Sequence, residues 1–252
     1  MPNRTRSVVL VGIIALTAFL IVQLPARVLA PGLADAGIEV YGMQGTLWRG
    51  QADDLQISGI SLGQVTWRFR AGQILLARLA YRLEIDGPMG IAQGNASVNP
   101  LGHTRLDTWR GTSALDRWPG VFGLAGADGT VSVALDLLNI HGAWPTDVVG
   151  QGEVRALVVR SVGMPPLDMG GYMLTVSARD IPPDAAITAE IRDQGQVLDL
   201  SGRMTLSPDR SWLFEANIKP RDDAPRALTD SLMLFGAPDA AGYRAVSLEG
   251  SL

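Results

Sequence analysis

The chain of 252 residues contains no cysteine, which excludes disulfide bridges, thiolate catalysis and cysteine-based metal sites. It has only two histidines, His103 and His141, which are far apart in the sequence and have no cluster of acidic residues beside them. That pattern is a poor one for a metal site. No glycine-rich phosphate-binding loop is present either. The residues therefore predict no cofactor, and stability has to come from burial of apolar surface.

Basic residues are scarce outside the N-terminal region. The first thirty residues contain Arg4, Arg6 and Arg27 and no acidic residue, so 18 of the 21 basic residues and all 25 acidic residues lie further on. The remainder carries a net charge of about −7. This balance argues against nucleic-acid binding, which needs a basic face, and gives the domain little overall attraction to anionic lipid.

Long hydrophobic runs are absent with one exception, which begins at Val8 and ends at Leu24. A helix of that length spans about 26 Å at ~1.5 Å per residue, close to the ~30 Å hydrocarbon core of a bilayer. The run predicts a transmembrane anchor over residues 8–24, with residues 1–7 in the cytoplasm because Arg4 and Arg6 outweigh Arg27. Everything beyond the anchor is then expected in the periplasm of a two-membrane bacterium.

A cleaved secretory signal peptide is the alternative for this region. Residues 28–30, Val-Leu-Ala, offer small residues at the usual cleavage spacing. Two features oppose cleavage: the run is longer than a signal-peptide core of roughly 7–15 residues, and Pro31 would follow the cleaved bond. On the anchor hypothesis, residues 25–44 are a connector that includes the first strand, and residues 45–252 are a periplasmic β domain.

The exported part alternates apolar and polar residues with a period of two, which is typical of half-buried strands. Turn signals separate these segments, as at residues 86–88, 128–129, 193–195 and 207–209, and residues 198–218 predict a hairpin. The predicted fold is mainly β: a single N-terminal transmembrane helix, then a predominantly antiparallel sheet with a few short helices. A division into two similar β halves is a candidate near residues 123–130. The alternating segments are residues 65–69, 131–137, 174–178, 187–191, 204–206, 212–218 and 246–248.

Helical patterns are few. The clearest follows Asp222 and Asp223, either of which could cap a helix, with Pro225 in its first turn. Its apolar residues are Leu228, Leu232 and Phe235, and Gly236 would end it. Shorter helical pieces are predicted over residues 74–81 and 115–122. The acidic pairs Asp53-Asp54 and Asp222-Asp223 are explained by turns and caps rather than by cation binding.

Residues 59–63, Gly-Ile-Ser-Leu-Gly, match the G-x-S-x-G pattern of serine hydrolases. That pattern needs a strand before the serine and a helix after it, whereas residues 64–70 continue the alternation of a strand. Since a chain with 29 glycines produces such matches by chance, Ser61 is not predicted to be catalytic. No other catalytic group is predicted.

Two tryptophans, each followed by an arginine, stand out in residues 45–70. They would lie on neighbouring strands if the chain turns near residues 59–63. One interpretation is a cross-strand aromatic pair with the arginines on the solvent face. The other is a contact surface for a partner, because Trp and Arg are enriched at binding hot spots. The candidate contact residues are Trp48, Arg49, Trp67 and Arg68.

With these motifs in their order and spacing, essentially the whole chain resembles the type II secretion system protein N family. The resemblance rests on the short basic N-terminus, the apolar run and the following segments: residues 45–50 (Gly-Thr-Leu-Trp-Arg-Gly), 62–69, 81–87, 140–145, 200–206, 219–225, 234–238 and 243–250.

The resemblance implies an accessory inner-membrane component of the machinery that exports folded periplasmic proteins across the outer membrane. It implies a structural and interaction subunit, not an enzyme, whose partners are the inner-membrane assembly platform and, as a further candidate, the outer-membrane secretin. An anchor raises the local concentration of such a subunit beside its partners, and exposed sheet edges can recruit them.

A lipid-binding role is the alternative function. The start of the motif region also resembles a group of anchored periplasmic lipid-transfer proteins, in which consecutive antiparallel strands form a half-pipe with an apolar inner face. A filled core would favour the scaffold, whereas an open apolar face of Val, Leu and Ile would favour lipid.

Overall fold

The structure is a computed structural model. It describes residues 12–13, 15–17, 19–35, 37–57, 59–118, 126–142, 144–160, 166–195, 197–233 and 236–251. The chain divides into two compact units, Met1–Pro88 and Met89–Leu252. The predicted subdivision near residues 123–130 stays a prediction, and residues 123–125 lie outside the described part.

The first unit begins with α1, whose described helical residues are 12–13, 15–17 and 19–22. Of the predicted anchor, residues 8–11, 14 and 18 lie outside the described residues. Among the residues that are described, no helix has the length and apolar character needed to cross a bilayer. A 3-10 helix, Ala26–Leu29, and α2, Ala30–Asp35, follow α1.

The sheet of the first unit is antiparallel. Both β1 and β2 pair with β3, which pairs with β4, and β4 pairs with β5. A 3-10 helix, Ala71–Leu76, connects β4 to β5. The strands are β1 Ile38–Tyr41, β2 Gln44–Gly45, β3 Arg49–Ile57, β4 Ile60–Phe69 and β5 Leu79–Gly87.

The second unit is a sheet of nine antiparallel strands in which each strand pairs with the next one along the chain. It also contains a 3-10 helix, Leu115–Arg117, and α3, Arg226–Leu232. The strands are β6 Gly90–Val98, β7 Thr104–Ala114, β8 Ala127–His141, β9 Trp144–Val159, β10 Leu167–Ala178, β11 Ile187–Asp193, β12 Leu198–Leu206, β13 Ser211–Pro220 and β14 Arg244–Ser251.

The strand register separates apolar from polar residues across this whole sheet. Directly paired residues share a face, and successive residues of a strand alternate between faces. One row across all nine strands contains only apolar residues and glycine: Ala92, Gly111, Val133, Gly152, Leu174, Ile191, Gly202, Ala216 and Val246. The adjacent row faces the other way and is almost wholly polar: Gln93, Arg110, Ala134, Gln151, Thr175, Glu190, Arg203, Glu215 and Ser247.

A buried cluster covers one end of the apolar face. There, Leu228 and Leu232 of α3 pack with Ile218 and Val246 of the sheet, and with Leu198 and Ala216. Elsewhere on this face Val133 and Leu248 each remain 49% exposed. The cluster therefore covers the sheet only near β12, β13 and β14.

Three tryptophans lie across glycines of neighbouring strands. A Cβ atom added to Gly50 would be 2.3 Å from the ring of Trp67, and one added to Gly94 would be 2.4 Å from the ring of Trp109. The ring of Trp212 lies in the same way on Gly250, its register partner on β14. Each indole ring occupies the space that a side chain on the paired strand would need.

The predicted strands and the hairpin of residues 198–218 are confirmed, with the turn at residues 207–210. Four local predictions are wrong. Residues 79–81 belong to β5 rather than to a helix; Asp128 and Gly129 form a bulge within β8 rather than a turn. Pro225, and neither Asp222 nor Asp223, is the N-cap residue of α3, and no side chain caps this helix. Asp53 and Asp54, which were predicted to lie in a turn or a cap, lie instead at a register shift inside β3.

Helix ends and bulges depend on contacts with other parts of the chain, which short sequence patterns do not contain. Of the remaining helix predictions, Phe235 and residues 119–122 lie outside the described residues. Gly236 is described and has a positive φ of 95°, which suits glycine just after a helix.

Candidate functional site

The Gly-Thr-Leu-Trp-Arg-Gly motif forms a tight connection between β2 and β3. The backbone N–H of Thr46 donates to Arg49 O at 2.9 Å, and Thr46 Oγ1 accepts from the N–H of Arg49 at 3.3 Å. Gly45 has φ +90°, and a Cβ atom there would lie 2.6 Å from Arg49 O. Glycine is therefore required at the first position of the motif.

The motif also holds the C-terminal end of α1. The indole N–H of Trp48 donates to Ile21 O at 2.8 Å, and the backbone N–H of Leu47 donates to Leu24 O at 2.8 Å. Pro25 and Thr46 form an isolated antiparallel bridge. Because the last carbonyl groups of a helix have no partners within it, these bonds fix the point where the apolar helix joins the sheet.

The side chain of Trp67 lies on the face of the sheet opposite to those of Arg49 and Arg68. Arg49 of β3 pairs with Arg68 of β4, whereas Gly50 pairs with Trp67. Since neighbouring residues of a strand alternate between faces, Trp67 and Arg68 point in opposite directions. Arg49, Trp67 and Arg68 nevertheless all line one depression, described below, and the predicted contact surface stays a prediction.

Trp48 and Trp67 do not form the predicted cross-strand aromatic pair. Trp48 precedes β3, and its ring contacts Phe69 with a centroid distance of 4.7 Å; Phe69 in turn lies 5.4 Å from Tyr81. Trp67 lies on Gly50 and donates its indole N–H to Thr46 O at 3.1 Å. Both tryptophans are thus engaged in holding the motif against the sheet.

The arginines form a row on the solvent side. Arg68 pairs with Arg82 of β5 as well as with Arg49, so three arginines lie side by side in register on three neighbouring strands. They border an open depression of about 550 Å³. Its other lining residues are Gln44, Gly45, Gly50, Gln51, Thr66, Trp67 and Glu84.

Charges of one sign directly opposite each other destabilise a sheet. Arg82 is paired with Glu84, at 3.3 Å, but both side chains are more than half exposed and such a pair contributes little. Within the described part of the chain, the guanidinium groups of Arg49 and Arg68 have no hydrogen-bond or ion-pair partner. A row of this kind can bind a carboxylate or phosphate through paired N–H donors.

Ser61 lies within the β3–β4 hairpin and not at a strand-to-helix turn. Its hydroxyl donates to Asp54 Oδ1 at 2.6 Å, and Gln56 Nε2 donates to Asp54 Oδ2 at 2.6 Å. These two hydrogen bonds lower the pKa of Asp54. The arrangement stabilises the register shift in β3.

The structure brings the two histidines together. His103 precedes β7 and His141 ends β8, and the pairing of Thr104 with Ile140 places their rings 4.2 Å apart in an edge-to-face contact. In the residues that the structure describes, no three His, Asp or Glu side chains are grouped so that they could hold a metal ion.

The sequence interpretation missed Arg82, Phe69 and Tyr81. No local signal identifies Arg82 as a neighbour of Arg68, because the register of β4 and β5 decides it. The alternation of residues 65–69 did place Phe69 on a strand face, but its contact with Trp48 depends on the fold of the motif.

Comparison with known proteins assigns the chain to a family. The model for "Type II secretion system (T2SS), protein N" matches residues 36–247, most of the chain. The chain belongs to the type II secretion system protein N family. The motif that joins α1 to the sheet lies within the matched region.

This chain covers nearly the whole length of curated relatives named type II secretion system protein N. The protein of Aeromonas hydrophila is 26% identical over 95% of this chain and 96% of its own. That of Vibrio cholerae is 26% identical over 92% of both chains, and that of Pectobacterium carotovorum is 23% identical over 95% of this chain and 94% of its own. No solved structure was found to match the chain.

Proposed function

We propose that the chain is an accessory inner-membrane component of the type II secretion machinery, a non-catalytic structural and interaction subunit that supports export of folded periplasmic proteins across the outer membrane. Membership of the protein N family carries this proposal. The apolar run that ends at Leu24 would anchor the chain, with the N-terminus in the cytoplasm and both sheets in the periplasm.

The hydrogen bonds from Leu47 and Trp48 to the end of α1 support the anchoring role. A flexible tether would leave the sheet free to drift from the membrane surface, whereas this junction holds the first unit at the end of the helix. The chain then presents a fixed face to other subunits anchored in the same membrane, which raises its effective concentration beside them.

The anchor is tested by replacing residues 1–30 with a cleavable secretory signal peptide, so that the same sheets reach the periplasm in soluble form. Secretion of the machinery's substrates should fall to the level of a strain without the gene. Normal secretion by the soluble version would contradict a role that depends on anchoring.

Arg49 and Arg68 are the proposed partner-facing residues, and an acidic segment of another secretion subunit is the proposed contact. The candidate subunits are those of the inner-membrane assembly platform and, secondly, the outer-membrane secretin. Trp48 and Trp67 act as positioning residues, because their rings and indole N–H groups are engaged in the motif.

In-cell photocrosslinking tests this contact. A photoreactive residue at Gln51, which lines the depression beside both arginines, should capture a secretion subunit. One at the exposed Asn217 on the polar side of the second unit should not. The double variant Arg49→Glu, Arg68→Glu should abolish capture from Gln51; unchanged capture would show that the arginines are not the contact.

The apolar face of the second unit favours a second candidate function, lipid binding. Its row of apolar residues and glycine crosses nine strands, and Val133 is half exposed in the middle of the face. Ala216 and Val246 of this row are buried, so the part left open lies towards Val133, where an apolar ligand could bind.

Crosslinking from two adjacent residues on opposite faces of β8 distinguishes the lipid-binding hypothesis from the scaffold hypothesis. A photoreactive residue at Val133 should capture phospholipid in cells if this face carries lipid, whereas one at Ala134, on the polar face, should not. Capture of a protein subunit at Val133, or of nothing, would contradict lipid binding.

A further inference from the structure

The connection between β4 and β5 exposes an unusual amount of apolar surface. In and just after the 3-10 helix Ala71–Leu76, Ile74 is 51% exposed, Leu75 91%, Leu76 67% and Leu79 50%. Four large apolar side chains thus stand in water within six residues. A concentrated apolar patch on a soluble surface is typical of a contact with another apolar surface.

Backbone hydrogen bonds hold this connection in one shape. The N–H of Arg70 donates to Ala80 O at 2.8 Å and closes its base. The N–H of Ala77 donates to Ile74 O at 2.8 Å, and that of Arg78 donates to Gln73 O at 3.1 Å. Ala77 adopts a left-handed conformation with φ 52°. The apolar side chains are therefore displayed by a closed loop.

The loop leaves the sheet at the end to which α1 is attached. The backbone N–H of Phe69, the last residue of β4, donates to Trp48 O at 2.7 Å. The ring of Trp48 contacts Phe69, and its indole N–H donates to Ile21 O near the end of α1. One residue, Trp48, thus connects the base of the loop to the apolar helix.

The sequence on both sides of the loop carries only positive charge. Residues 55–83 contain four arginines and no acidic residue, although the chain beyond residue 30 is acidic overall. Arg70 and Arg78 lie on either side of Ile74, Leu75 and Leu76, and Leu79 follows Arg78. Apolar side chains flanked by arginine match a bilayer interface, where the former reach the acyl chains and the latter meet lipid phosphates.

We propose that residues 70–79 form a second membrane contact, in which Ile74, Leu75, Leu76 and Leu79 enter the interfacial layer of the bilayer and Arg70 and Arg78 face its phosphate groups. The inference rests on the proposed anchor, since α1 brings the loop to the membrane. Two points of attachment would prevent the first unit from rotating about the helix axis and would fix the direction of its arginine row.

Site-specific fluorescence in proteoliposomes tests the contact, and the absence of cysteine makes single labelling direct. Full-length chains carrying Leu75→Cys, Phe19→Cys or Asp86→Cys are labelled with the fluorophore NBD and reconstituted at low protein density. The liposomes contain phosphatidylethanolamine and phosphatidylglycerol with lipids spin-labelled at shallow or deep positions. Asp86 is the matched control, because it is exposed in β5 about 23 Å from Leu79 at ~3.3 Å per residue.

The label at Leu75 should shift its emission to shorter wavelength and be quenched several-fold more by shallow spin labels than the label at Asp86. An unquenched Leu75 label would overturn the loop contact. A blue shift without lipid quenching would also overturn it, since it would indicate a protein neighbour. The label at Phe19 reports on the anchor separately: if it escapes the deep quencher, the anchor is wrong whatever the label at Leu75 shows.

Discussion

At the scale of single residues, the structure assigns roles through close contacts between strands. Trp67 occupies the space above Gly50, and Trp48 holds the end of α1 through one hydrogen bond. The sequence alone does not show that Trp67 contacts Gly50 or that Trp48 contacts α1. Each contact is specific enough to be tested by adding or removing a few atoms.

Adding one methyl group at Gly50 should destabilise the first unit. A Cβ atom would lie 2.3 Å from both Gln44 O and the ring of Trp67, so Gly50→Ala should cost ~1–3 kcal/mol through overpacking. Gly111→Ala is the matched control, since its nearest contacts are at 3.4 Å; it should be neutral or stabilise by up to about 1 kcal/mol. Urea titrations of the purified chains would compare them, and equal effects would contradict the Trp-on-Gly contact.

The stability should depend on pH through Asp193. Burial raises its pKa, but hydrogen bonds from the N–H groups of Leu200 and Gly195 and from the guanidinium of Arg221 outweigh this, so the pKa is lowered. A lowered carboxyl pKa stabilises the fold above the unfolded-state value, and that contribution is lost as the pH falls through the folded-state value.

Asp193→Asn should therefore lower the free energy of unfolding by ~1–3 kcal/mol near neutral pH. The difference from the unmodified chain should narrow below about pH 4. Asp136→Asn, in an exposed pair with Arg110, should change stability by less than about 0.5 kcal/mol. Urea unfolding at neutral and acidic pH measures both variants, and a loss at Asp193 that is independent of pH would refute the electrostatic origin.

At the scale of elements, the short helix α3 closes one end of an otherwise open apolar face. Its first turn has no side-chain cap, so the packing of Leu228 and Leu232 on β12, β13 and β14 has to keep it in place. The position of this helix decides how much of the face remains available to a ligand.

Truncating Leu228 should release α3 from the sheet. The side chain is 3% exposed within the buried cluster, so Leu228→Ala should cost ~2–5 kcal/mol. Met233→Ala, directly after the cluster member Leu232 but 61% exposed, should be nearly neutral. Differential scanning calorimetry would resolve the two, and an unchanged transition in Leu228→Ala would show that the helix does not stabilise the sheet.

At the scale of the whole molecule, the chain is a member of the type II secretion system protein N family and consists of two units of antiparallel β structure. The proposed functions rest on surfaces: an arginine row in one unit and an apolar face in the other.

The full-length chain should remain in the membrane pellet after extraction with alkaline carbonate, because an apolar helix that spans the bilayer resists extraction. A variant with Phe19→Arg and Ile21→Arg should appear in the carbonate supernatant, since each arginine at depth opposes insertion by ~2.5–3.5 kcal/mol. Release of the unmodified chain would show that it is attached peripherally or cleaved after residue 30.

Much of the fold could be predicted from the sequence because the alternation of apolar and polar residues is local. Residues 131–137, 187–191 and 212–218 show that pattern, and each became a strand with an apolar and a polar face. The sequence also contained the apolar run and the motifs of the family. Each of these features is contained within one short segment of the chain.

Only the tertiary structure decided which residues meet, because register depends on pairing between distant segments and a shift by one residue reverses both faces. It placed Arg82 beside Arg68, put Trp67 on Gly50, brought His103 to His141 and attached Trp48 to α1. It also placed Trp67 and Arg68 on opposite faces of β4. The candidate site is a product of strand register, whereas the strands themselves are a product of local pattern.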